Sequence, residues 1–188
     1  MDLLNKLRNR VNDSDFVLTM YSNHNGKNLW NCICSAIDWI QVGVASVRKE
    51  HIFTNDRFLD CMNFYKYISS IDVTCDGIYQ LHRVFMGNNI LPFENDCSIF
   101  NHHILNTKSD DEFFKELRAC FGAHPVNLNN RKNKEEKRFA SWSIIGPSFN
   151  EYDCNVILYS SNPEEKDIYL GVNVSDYCYT ILHYNHIH

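Results

Sequence analysis

Glycine and proline are scarce in this chain of 188 residues, at 7 and 4, which excludes collagen-like and Gly/Pro-rich low-complexity architectures and leaves few places where the backbone is forced to turn. No apolar run reaches the roughly 18 residues that a membrane-spanning helix needs. The nearest, residues 32–47, is interrupted by Asp38 and Gln41 and reads as a buried helix, so no membrane association is expected. Positive charge is also lacking. The formal charge is −5, so no global field draws the chain onto nucleic acid or anionic lipid, and any phosphate contact must be local. The glycines are dispersed, and neither G-x-x-x-x-G-K-[ST] nor G-x-S-x-G occurs. Nucleotide hydrolysis on a phosphate-cradling loop and an elbow-type serine nucleophile therefore find no support.

Clustered metal ligands are missing too. The eight cysteines are scattered, and several lie in apolar stretches where a free thiol behaves as a small hydrophobe. Cys32 and Cys34, two apart on an expected helix, point to different faces. His102-His103 and the trio His183, His186 and His188 have no Cys or acid at ligand spacing, so neither a metal site nor a cofactor is expected. Leu3, Leu4 and Leu7 are interleaved with charges where a secretory leader would be apolar, and the expectation is a cytoplasmic protein with reduced thiols.

What the chain has in quantity is apolar and aromatic side chains, 44% and 13%, enough for a dense core rich in Phe and Tyr. Between Asn28 and Glu50, Leu29, Ile33, Ala36, Ile37, Ile40, Val44 and Val47 recur at helical spacing. A second helix is expected over 56–70 and a third over 76–86, with Asp76 as its cap or first-turn acid and Gly87-Asn88-Asn89 as its stop. Ser109-Asp110-Asp111-Glu112 has capping-box spacing and opens a helix carrying Phe113, Phe114, Leu117 and Phe121, with Gly122 as its stop. Pro125 then turns His124 away from helical angles. Residues 127–137 are polar after Leu128 and read as a linker between a helical region, 1–126, and a β-rich segment, 138–188. Residues 139–145, 155–159 and 168–174 read as antiparallel strands, and Ser175-Asp176 as the cap of a terminal helix through Leu182. The expected class is α+β: a helical bundle followed by a small antiparallel β segment with a terminal helix.

The stretch Arg118-Ala119-Cys120-Phe121-Gly122-Ala123-His124-Pro125 resembles the motif of the HEPN family, an Arg followed after four to six residues by His near a helix end, often closing on Ala-His-Pro. With the helices upstream the resemblance covers residues 28–125. It implies a helical bundle, commonly a homodimer, and in many members a metal-independent endoribonuclease of toxin, antiphage or other defence systems. On that resemblance His124 moves protons to and from the 2′-hydroxyl and the leaving oxygen, while Arg118 stabilises the scissile phosphate. Residue chemistry agrees, because imidazole titrates near neutrality and guanidinium grips phosphate bidentately. Positions six apart on one ideal helix diverge by about 120°, so a cleft shared by two chains suits the pair better than a single-chain pocket. Lys115, Asn127, Arg131 and Lys132 are the candidate RNA-contacting residues, the last two within a basic run that continues through Lys134, Lys137 and Arg138. Ala119 follows the Arg where active members often carry a polar residue. The rival reading is a non-catalytic module that binds a partner protein or senses a ligand, with Arg118 answering the terminal carbonyls of its helix.

Overall fold

In the computed structural model, residues 2–13, 15–49, 54, 56–92, 94–100, 107–123, 125–129, 135–142, 154–174 and 179–184 are described. They are mixed α and β, and divide into two compact units: Met1–His51 with Lys66–Pro92, and Ile52–Tyr65 with Phe93–His188. The polar stretch 127–137, expected as a linker, lies inside the second unit.

Helices α1 (Asp2–Asn12) and α2 (Asp15–Tyr21) open the first unit, with Leu4, Leu7 and Val11 of α1 turned toward its core. After α2 the chain reverses at Asn25-Gly26, whose φ angles of 51° and 76° are those of a mirror-image turn. Reciprocal bonds between His24 and Lys27, 2.9 and 3.0 Å, close it. Asn28 then caps α3 (Leu29–Lys49), its Oδ1 accepting the Asn31 N–H at 3.1 Å.

Helix α4 (Arg57–Met86) is one element where two were expected, so Asp76 sits in mid-helix and caps nothing. The polar residues at the junction of the two expected helices are absorbed by the helix itself: the Ser70 and Thr74 hydroxyls donate to the carbonyls of Lys66 and Ser70, each at 2.8 Å. Asp56 Oδ1 caps the start, accepting from the Phe58 and Leu59 N–H groups at 3.0 and 3.2 Å. Gly87, with φ +65°, stops the helix by donating to the Arg83 carbonyl at 3.0 Å. The core of this unit is Val11, Ile33, Ala36, Ile37, Ile40 and Leu81.

In the second unit α5 (Asp110–Arg118) runs into a π-helical turn (Ala119–Ala123). The sheet then follows as β1 (Leu128–Asn129), β2 (Lys137–Trp142), β3 (Cys154–Ser160), β4 (Ile168–Val174) and β5 (Tyr179–Tyr184), each strand antiparallel to the next and in that order. Val156, Ile157 and Leu158 of β3 are all buried. Since successive side chains point to opposite faces, this central strand is covered on both. Leu128, the one apolar residue at the start of the polar stretch, is buried opposite Arg138, and Asn129 pairs with Lys137, so both ends of the stretch belong to the sheet.

The expected terminal helix through Leu182 is instead β5, registered on β4 from Tyr169↔Tyr184 to Val174↔Tyr179. Tyr179, Thr180, Ile181 and Tyr184 are strand-forming residues, and pairing with β4 outweighs the local Ser-Asp cap signal; residues 175–178 lie outside those described. Phe64, Phe113, Leu158 and Leu170 are the largest fully buried side chains of this unit. A buried Phe of this kind is worth about 3–5 kcal/mol against Ala.

Candidate functional site at the end of helix α5

Ser109 caps α5 as expected, while the Glu112 side chain reaches one residue beyond the cap, to Lys108. Ser109, extended at φ −148° and ψ 164°, accepts from the Glu112 N–H at 3.3 Å, and Glu112 Oε2 accepts from the Lys108 N–H at 2.9 Å. Asp110 does more than favour the helix dipole. Its buried carboxylate accepts the backbone N–H groups of Ile99 at 2.8 Å and Phe100 at 3.2 Å, tying the preceding loop to the start of α5. Phe100 packs edge-to-face on Phe113, with centroids 4.9 Å apart.

Phe113, Leu117 and Phe121 follow at four-residue spacing and are buried within the chain itself. Phe121 meets Phe64 at 4.9 Å and Trp142 at 6.3 Å, both edge-to-face. Trp142, half-buried, thereby packs against the aromatic core of this unit. The apolar side of α5 is thus largely spent on its own core, which leaves the half-buried Phe114 as the one large apolar side chain of the helix with a surface to offer.

Arg118 is the last residue of α5 and is half-buried. Gly122, expected to stop the helix, does not do so: helical winding continues through it to Ala123 as the π turn. The glycine is needed for space, because a Cβ there would fall inside the Tyr65 ring. The π turn carries the chain directly to position 124, and on its far side the Pro125 carbonyl accepts the Ala140 N–H of β2 at 2.5 Å. The Arg/His motif therefore spans the junction between α5 and the sheet. His124, Arg131 and Lys132 lie outside the described residues.

Lys115 is exposed, with its ammonium 2.7 Å from Asp111 Oδ2, one turn back. Asn127 is exposed just before β1. Lys137 and Arg138 do not extend a free basic arm. They belong to β2, where Lys137 Nζ donates to Asn129 Oδ1 at 2.6 Å and Arg138 Nη2 to Glu165 Oε2 at 2.9 Å. The Ser160 hydroxyl donates to the same Glu165 oxygen at 2.9 Å, and Arg138 and Ser160 are direct cross-strand partners. This half-buried Arg–Glu–Ser cluster had no signal in the sequence, since it is assembled by strand register and the β3–β4 hairpin.

Cys120, in the π turn, is nearly inaccessible. Burial pushes its thiol up to about 12, the Glu116 carboxylate adds to the rise and the Arg138 guanidinium opposes it. It is a protonated packing residue and no nucleophile at neutral pH. Among the described residues no group of three or more His, Cys, Asp or Glu is placed to hold a metal ion, and no helix is long and apolar enough to cross a membrane. Compared with known proteins, the chain matches no family model, no curated protein and no solved structure.

Proposed function

We propose that the chain is a metal-independent endoribonuclease of HEPN-like type, with Arg118 and His124 as its catalytic residues. The observation that supports this reading most is the π turn at 119–123, inserted between the two motif residues. A five-residue π segment is a costly local geometry that recurs at functional sites, and here it separates a guanidinium at a helix end from the imidazole that follows. In the reaction, the His124 imidazole takes the proton of the 2′-hydroxyl as that oxygen attacks the adjacent phosphorus. The P–O5′ bond breaks, a proton is delivered to the leaving 5′-oxygen, and a 2′,3′-cyclic phosphate remains. Arg118 carries the charge that builds on the non-bridging phosphoryl oxygens. Asp111, Glu112 and Glu116 make the surface of α5 an unfavourable track for RNA, so the phosphate contacts fall to Asn127, Arg131 and Lys132. Purified protein is expected to cleave single-stranded RNA in the presence of EDTA and to leave 2′,3′-cyclic phosphate ends. Strict dependence on a divalent ion would overturn the mechanism.

A second reading, an interaction module of homodimeric form, is favoured by the first turns of α4. Phe58 is 73% exposed, Met62 59% and Leu59 49%, an apolar stripe along one helix face of the kind that marks interaction sites. A two-fold pairing through this stripe would bring two copies of the second unit together, compatible with the shared cleft that the Arg/His spacing calls for.

A further inference from the structure

Within the first unit, Gly43 of α3 lies against Ser70 and Thr74 of α4, and Gly77 of α4 lies against Ala36 and Ile40 of α3. As one helix descends from 43 to 36 the other climbs from 70 to 77, so the two run antiparallel in close approach. Beside this line of contact is an open cavity of about 290 Å³, lined by positions 32, 35, 36 and 39 of α3 and 73, 76, 77 and 80 of α4. Both sets have the i, i+3, i+4, i+7 spacing of a single helix face. Ala36 and Gly77, the smallest residues available, form its floor. The register set by the glycine contacts puts Trp39 level with Asp76, and Ser35 level with Gln80.

Three features define what this cavity takes. Trp39 lines the cavity and is 54% exposed, unlike Trp30 of the same helix, which packs against the core. Asp76 lines the same space and has no hydrogen-bond or ion-pair partner among the described residues. No Lys or Arg is present in the lining to neutralise it. An aromatic face beside an uncompensated carboxylate over an apolar floor is complementary to a positive charge carried on an apolar body.

We propose that this cavity is a binding site for a small organic cation, of which a quaternary ammonium compound is the simplest member. The indole meets the cation through its π face, Asp76 supplies the opposite charge, and Ser35 and Gln80 offer hydrogen bonds to a polar group about one helical turn further along. The cavity volume is at the lower end for small-molecule sites, which limits the ligand to a few heavy atoms. The site is independent of Arg118 and His124 and does not rest on the ribonuclease reading.

The test uses the full chain, choline as the probe and 3,3-dimethylbutan-1-ol as its uncharged analogue of matching shape. The indole N–H resonances are followed by NMR, with Trp30 and Trp142 as internal controls for Trp39. The expected result is a saturable shift of the Trp39 signal alone on addition of millimolar choline, with little response to the neutral alcohol. Asp76→Asn, at an exposed position that the fold does not need, weakens choline binding about fivefold, and Trp39→Leu does the same when read on the backbone amides of Val73 and Gln80. No saturable choline response, an equal response to the neutral alcohol, or unchanged affinity in Asp76→Asn would each overturn the proposal.

Discussion

Replacing Glu165 with Gln keeps the shape of the side chain and removes the charge opposite Arg138. In the native fold the two groups are 2.9 Å apart and their side chains only 13% and 22% exposed, and the Ser160 hydroxyl shares the carboxylate oxygen. The gross Coulomb attraction at that separation is about 6 kcal/mol at an effective dielectric constant near 20, and desolvation of the two ions cancels most of it. The mutation does not reverse that desolvation. It leaves a guanidinium buried without its counter-charge, for which truncation of a buried pair costs about 3–5 kcal/mol. Because part of Glu165 still reaches water, screening lowers the expectation to about 2–3 kcal/mol. Urea unfolding of the full chain, followed by far-UV circular dichroism, reads this as a fall in the midpoint of about 1 M. Asp38→Asn breaks the Arg8–Asp38 pair, whose Asp38 side chain is 67% exposed, and is the control, expected to cost under about 1 kcal/mol. The double substitution Arg138→Met with Glu165→Leu removes both charges and should recover most of the loss. A Glu165→Gln variant no less stable than Asp38→Asn would refute the reasoning.

Among the described cysteines, alkylation of the native chain at neutral pH is expected to modify the exposed Cys97 first and the buried Cys120 last. The folded-state value of Cys120 is raised from 9.0 to about 12, so its contribution to stability is complete below pH 9 and fades as the pH climbs toward 12, by about 1.4 kcal/mol near pH ~10; a Cys120→Ser chain showing the same alkaline slope would contradict this. Gly122→Ala forces a methyl into the Tyr65 ring and should cost about 1–3 kcal/mol and displace the π turn; unchanged stability and an unchanged near-UV spectrum would count against the packing account. Phe58→Glu should convert a dimer to a monomer in sedimentation at micromolar concentration, while a wild-type chain that is already monomeric would remove the α4 stripe as a self-association surface.

Where local chemistry decides the structure, the sequence was readable. The apolar repeat of α3, the Ser109 cap of α5 and the Gly87 stop each depend on residues within one or two turns of each other, and each takes its expected form. Where a tertiary partner decides, the local signal misleads. Asp76 suggested the start of a new helix, yet α4 runs through it: the Ser70 and Thr74 hydroxyls bond back to their own helix and Gly77 lies in close contact with α3. Gly122 has the same explanation, with Tyr65 as the neighbour. The segment that follows Ser175-Asp176 carries a cap signal but pairs with β4. Asn25-Gly26 was legible in principle as a mirror-image turn. The Arg138–Glu165–Ser160 cluster was not, because no sequence pattern announces a strand register.

The candidate site divides in the same way. The helix was expected to run on to Gly122, but α5 ends at Arg118, and the π turn behind it, with Cys120 and Phe121 buried, is recorded by no motif. Lys115 was expected to meet phosphate, and it sits one helical turn from Asp111, close enough to be paired with it.

The central claim is that Arg118 and His124 cleave RNA together, and initial cleavage rates in EDTA for the wild-type chain, Arg118→Ala and His124→Ala test it most directly. All three proteins should give the same far-UV spectrum, with the wild type generating 2′,3′-cyclic phosphate ends and each variant slower by at least about 100-fold. Wild-type rates in either folded variant would contradict the claim.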